Sequence, residues 1–306
     1  AQVGLKVCTD ALAMGCSCAK STAVEDANLQ PPRGSSGACG SKKAPPPPAG
    51  VIAKKVTQAA STRVLALREC GLKQLPVGAT GAELANLRTA DLSANTLKAL
   101  PEACSVWSGL QTLLCSQNAL TELPSSIGQL GSLQKLALSE NQLRTLPVEL
   151  SQLGKLKTLQ LDSNCLGKGS LPPDVFGGTL SRALEELDLS ANGLEELPSS
   201  IAGLVVLQRL VLSRNRLRQL PAGLGELVTL QYLDASENLL SMLPDGFLVK
   251  LKSLSELWLK GNPMERLKLQ EAPGFNAFLE RRKQRLDARI DANVVGRVDL
   301  TVCGLE

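Results

Sequence analysis

Histidine is absent from the 306 residues, and aromatic rings are scarce: two tryptophans, one tyrosine and four phenylalanines. The first absence removes the side chain that most often moves protons near neutral pH and most often ligates metals, so catalytic readings start without their usual residue. The second means that any core must be filled by aliphatic side chains in many small contacts. The nine cysteines, at 8, 16, 18, 39, 70, 104, 115, 165 and 303, include no C-x-x-C pair. That spacing excludes the common zinc motifs and makes reduced thiols the simpler reading. No N-x-[ST] sequon occurs, neither "GACGSKK" nor "LGKGS" completes a phosphate-binding loop, and no apolar run approaches the roughly 20 residues that span a bilayer. These absences place the protein in the cytoplasm, with no cofactor and no metal. Charge is also missing from most of the chain. The net charge of +4 lies within residues 1–57, with seven basic residues against three acidic, and the remainder balances to zero. A neutral body lacks the basic face that nucleic acid requires, so no nucleic-acid partner is expected.

What is present is a repeat. The template L-x-x-L-x-L-x-x-N-x-L-x-x-L-P recurs from about residue 62, with a clean copy in "LQKLALSENQLRTLP" from Leu133 to Pro147. Its asparagine falls at Asn95, Asn118, Asn141, Asn164, Asn192, Asn215, Asn238 and Asn262, with Cys70 in that place in a degenerate first copy. Most spacings are 23 residues; the 28 between Asn164 and Asn192 mark an insertion, "GKGSLPPDVFGGTLSRA" over 167–183, that lengthens one outer arc. In L-x-L the leucines alternate with outward positions, as in a half-buried strand. The asparagine amide can satisfy backbone groups that the following bend would leave buried and unpaired. The segment after L-P has the three-residue apolar spacing of a short helical or 3₁₀ turn. One such unit cannot shelter its own apolar face, so units must stack.

On these residues the chain resembles the leucine-rich repeat family. The resemblance implies an α/β repeat fold, a solenoid (horseshoe) whose parallel sheet lines the concave side, with about nine repeats of ~23 residues and a C-terminal helical cap. The expected divisions are a non-native or leader segment at 1–14, a disordered Pro/Gly/Ser-rich tail open to lipidation at 15–57, the repeat domain at 58–265, and a cap and tail at 266–306. In the cap, Phe275, Phe278, Leu279, Leu286 and Ile290 share one helical face, with Arg281, Arg282, Lys283 and Arg285 mostly elsewhere; beyond it, "VVGRVDLTV" reads as a strand. The segment "GNPMERLKLQEAPGFNAFLER" resembles the cap of the leucine-rich repeat-containing protein 57 family, with Leu269, Gly274, Phe275 and Phe278 in that family's places. This likeness implies a small intracellular protein without catalysis, whose N-terminus begins Met-Gly and is a myristoylation site.

That implication bears on "MGCSCAKS" at 14–21. Translation starting at Met14 would expose Gly15 for N-myristoylation, although Ala19 stands where serine or threonine is preferred. One myristoyl chain binds membrane only marginally, and Cys16 and Cys18 are the candidate palmitoylation sites for a second anchor. The expected localisation is then peripheral, at the cytosolic face of a membrane. The simpler reading is a tail with two incidental cysteines.

Outward strand positions form two columns. One runs Asp91, Leu114, Ala137, Gln160, Asp188, Val211, Asp234, Trp258, and the one before it Thr89, Thr112, Lys135, Thr158, Glu186, Arg209, Tyr232, Glu256. Tyr232 and Trp258 meet near the C-terminal end, among Arg209, Asp234, Glu256, Val211 and Asp188. Trp, Tyr and Arg are the types enriched in binding hot spots, so this concave face is the expected site for a protein partner. Leu114 joins it because its repeat position gives an apolar residue no packing role. The alternative for Trp258 is that it leans over the cap helix and finishes the core. Two functions follow. One is a monomeric, membrane-tethered adaptor, and the other a soluble regulatory subunit docking on a phosphatase or small GTPase.

Overall fold

The computed structural model describes residues 46–291, with the side chains of 266, 286 and 288–291 left aside. Nine three-residue strands, β1 (Val64–Ala66), β2 (Thr89–Asp91), β3 (Thr112–Leu114), β4 (Lys135–Ala137), β5 (Thr158–Gln160), β6 (Glu186–Asp188), β7 (Arg209–Val211), β8 (Tyr232–Asp234) and β9 (Glu256–Trp258), pair parallel in chain order. Equivalent positions of neighbouring repeats face each other without a slip, as in Leu136↔Leu159 and Leu210↔Leu233. The central residue of each strand is buried, so the alternation read from L-x-L sets which face is core.

Each strand is followed by a bend at the asparagine. The Asn141 amide donates to the carbonyls of Leu138 in its own coil and of Cys115 in the coil before, while its Oδ1 accepts the N–H of Leu120. The same three-way pattern recurs at Asn118, Asn164, Asn192, Asn215, Asn238 and Asn262. Asn95, facing the first coil, accepts from both Cys70 N–H and Leu72 N–H. Cys70 occupies the asparagine place where no earlier coil offers acceptors; its thiol donates to the nearby Arg68 carbonyl and accepts from Lys55 of the N-terminal helix. The residue before each asparagine is held in the left-handed region, from Ala94 at φ 56° to Glu237 at φ 51°. An L side chain there costs of order 1 kcal/mol, so these bends are strained and held by the asparagine bonds; only before Asn262 does a glycine, Gly261 at φ 75°, relieve the strain.

After the bend, L-P opens a 3₁₀ turn in five coils, at Glu102–Val106, Ser125–Gln129, Val148–Gln152, Ser199–Gly203 and Ala222–Glu226, each preceded by an extended proline. The insertion buries Val175, Phe176 and Leu180, supplying apolar side chains to a longer arc. Trp107, the second tryptophan, is fully buried and donates its Nε1–H to the Ala79 carbonyl at 2.8 Å.

The ends are closed differently. Helix α1 (Ala49–Thr62) covers the first coil with Ile52, Val56 and Ala59, spaced four and three apart on one face. The sequence reading placed residues up to 57 in a tail; this helix instead carries order across that boundary, because three small apolar residues suffice to close the open end of β1. At the other end come α2 (Phe247–Lys250), α3 (Arg266–Gln270) and α4 (Phe275–Asp291). Phe275 and Phe278 are buried with ring centroids 6.3 Å apart. The arginines of α4 depart from the expected outward placement. Arg281 donates to the Leu254 and Leu248 carbonyls, Arg282 is buried, and Arg285 donates to Gln231 Oε1 and Ser255 Oγ. The Arg281 guanidinium satisfies carbonyls of the last coils that no further repeat is present to cover, and Arg285 ties α4 to side chains of the last two strands' coils. The strand read at "VVGRVDLTV" lies outside the described residues.

Candidate protein-binding face

The outward residues of the sheet stand in register, which brings Arg209 beside Tyr232, Tyr232 beside Glu256, Val211 beside Asp234, and Asp234 beside Trp258. Arg209 lays its guanidinium over the Tyr232 ring, 3.8 Å from the centroid, a cation–π pair that holds two long side chains in one orientation. Burial, with the neighbouring Asp234 carboxylate second, raises the Tyr232 hydroxyl above its ordinary pKa, so the phenol is neutral and available as a donor. Glu256 lies 3.6 Å from Arg285 of α4, which links this end of the sheet to the cap. Trp258 is half-buried, and its Nε1 is withdrawn from solvent with no acceptor among the described residues.

Other expected members of the site have different surroundings. Val211 is buried at 8% exposure and Ala137 at 4%, so these positions face outward but present little surface. Asp188 accepts from Ser190 N–H at 2.9 Å and from Ser190 Oγ–H, and Asp234 does the same with Ser236. These are turns in which the aspartate side chain caps the backbone two residues on, a structural task signalled in sequence by D-x-S at 188–190 and 234–236. Burial raises Asp188 above the ordinary carboxylate range despite those bonds. Leu114 is half-buried between Asp91 and the buried Ala137, an apolar side chain at an outward strand position. Cys115 is fully buried, and desolvation pushes its thiol well up, as suits a core residue. Among the described residues no three His, Cys, Asp or Glu side chains gather as metal ligands would, and no helix is long and apolar enough to cross a membrane. Gly15, Cys16 and Cys18 lie outside the described residues. The contacts not foreseen from sequence are the Arg209–Tyr232 stack and the reach of Arg285 from α4 to the sheet.

Family models described as leucine rich repeat match residues 108–166 and 207–264, and another of the same description matches 183–204. Comparison with curated proteins gives no match. Among solved structures, a leucine-rich repeat protein of Leptospira interrogans is 31% identical with a TM-score of 0.55, over 71% of this chain and 58% of its own. YopM, a leucine-rich effector of Yersinia pestis, is 28% identical with a TM-score of 0.54, over 70% of this chain and 54% of its own. The chain folds as a leucine-rich repeat solenoid. A chain of the Drosophila Toll–Spatzle complex is similar too, at 27% identity and TM-score 0.58 over 65% of this chain and 26% of that one. The solenoid thus spans little more than half the length of the two bacterial proteins and about a quarter of the third. The matching models are of repeats, and the architecture is consistent with an interaction module.

Proposed function

We propose that the solenoid is an adaptor that binds a protein on the open face of its sheet, anchored at Arg209, Tyr232 and Trp258, and is tethered to a cytosolic leaflet by acylation of Gly15 with Cys16 or Cys18. The observation that carries the binding reading is the stacked Arg209–Tyr232 pair in register with Glu256. Two long side chains already held in place lose little rotamer freedom when a partner covers them, and that loss is about 0.5–1.5 kcal/mol per side chain immobilised. The similar chain from the Toll–Spatzle complex supports a partner-binding use of the fold, and the likeness of the cap to the leucine-rich repeat-containing protein 57 family supports the intracellular, Met-Gly reading.

Arg209→Ala combined with Tyr232→Ala removes two anchors without opening the core, since Arg209 is exposed and Tyr232 half-buried. The expected result is loss of the principal captured partner at an unchanged melting temperature. Capture equal to wild type would end the assignment of this face. The tether is tested by metabolic labelling with an alkyne myristate and by fractionation of wild type against Gly15→Ala. Absence of label, with equal membrane fractions for both proteins, would remove it.

A further inference from the structure

Beside the last coil, on a surface separate from the sheet face, the chain leaves an apolar groove of about 300 Å³, at the lower end of the size range of ligand pockets. Its floor is Phe247, Leu248, Met264 and Leu269, all core residues, and its walls are Leu243, Pro244 and Pro273. Met242 forms a lip and is 65% exposed, although an unbranched thioether usually ends up inside. A second depression, lined by Leu220 and Pro221 of the preceding coil, shares Met242 to Asp245 with the first. The two depressions are adjacent and share four lining residues, an arrangement that suits side chains one turn, about 5.4 Å, apart on an α-helix. Apolar side chains one turn apart on a helix would therefore enter both.

The rim supplies a sign. Asp245 and Glu271 line the groove and are exposed. The one cation among the lining residues, Lys268, has its charge offset by Glu265 at 3.3 Å. An apolar floor under an acidic rim complements a helix with one apolar stripe flanked by lysine or arginine.

We infer that this groove docks a basic amphipathic helix of a partner protein. Two apolar anchors fill the depressions on either side of Met242, and their flanking cations meet Asp245 and Glu271. A fluorescein-labelled leucine/lysine amphipathic 14-mer, titrated against the full chain by anisotropy, is the probe, with a leucine/glutamate 14-mer of the same pattern as control. The lysine peptide saturates and the glutamate peptide does not. Asp245→Lys with Glu271→Lys weakens binding at least tenfold, and Met242→Gln, at an exposed position, at least fivefold, both at wild-type melting temperature. Tyr232→Ala with Trp258→Ala leaves binding within twofold, which separates this groove from the sheet face. Any of four results overturns the assignment: equal binding of both peptides, charge reversal without effect, loss of binding in the sheet-face variant, or Met242-dependent binding to phosphatidylcholine–phosphatidylserine vesicles, which would make the groove a lipid contact.

Discussion

An asparagine that serves its own bend and the preceding coil at once has more to lose than any neighbour of similar size. Replacing Asn141 with leucine orphans the buried Leu120 N–H and takes one of two amide donors from the Cys115 and Leu138 carbonyls, which keep Asn118 and Asn164. Orphaned buried backbone groups cost about 1–3 kcal/mol each. The expected loss is about 1–3 kcal/mol, read as a lower denaturant midpoint. Ser139 is half-buried and bonds through its hydroxyl to Asp162 alone, so Ser139→Ala costs under about 1 kcal/mol. Equal midpoints for the two variants would mean that the ladder is not what holds the left-handed bends. The asparagine role was legible because one residue type recurred in phase with the leucines. The aspartate–serine turns at 188–190 and 234–236 carry only the short D-x-S signal and were less legible, since a carboxylate on an outward strand position reads first as a solvated surface group.

At the scale of elements, the C-terminal cap depends on a single backbone position. Gly274 has φ +87°, and a Cβ there would lie 2.8 Å from Val249 N and 2.9 Å from the Leu248 carbonyl carbon. Both neighbours are backbone and cannot swing aside, so Gly274→Ala must displace α4 from α2. The expected cost is about 2–4 kcal/mol, with faster amide exchange in α4 and residues 247–259 and unchanged protection in β2 to β5. Uniform loss of protection along the sheet would show instead that the cap and the repeats unfold as one. The apolar stripe of α4 could be read from its spacing. The inward reach of Arg281 and Arg285 could not, because the groups that draw them in, the Leu248 and Leu254 carbonyls and the Gln231 and Ser255 side chains, meet α4 only in the folded chain. α1 was missed for a related reason. Its buried face is one isoleucine, one valine and one alanine beside a proline run, too little apolar surface to announce a helix without the uncovered first coil beneath it.

For the whole molecule, nine in-register strands were recoverable from sequence because each position of the repeat has one environment, and each copy reports that environment again. The interaction surface is the reverse case, since outward residues are free to differ from copy to copy and nothing averages in their favour. Stability in such an array is close to a sum of units and their contacts, which makes the ends decisive. Deleting residues 46–62 removes α1 and uncovers the N-terminal side of the first coil, where Leu65 and Leu67 are now fully buried. The truncated chain should bind a fluorescent apolar dye and lose protection first in β1 and β2. Wild-type dye binding would mean that α1 does not cap the array. The asparagine bonds also have a direction: every amide reaches its own coil and the one before it, never the one after. As the polypeptide leaves the ribosome, each newly emerged coil therefore finds its upstream acceptors already in position, and assembly can proceed like courses of brick laid from the first row.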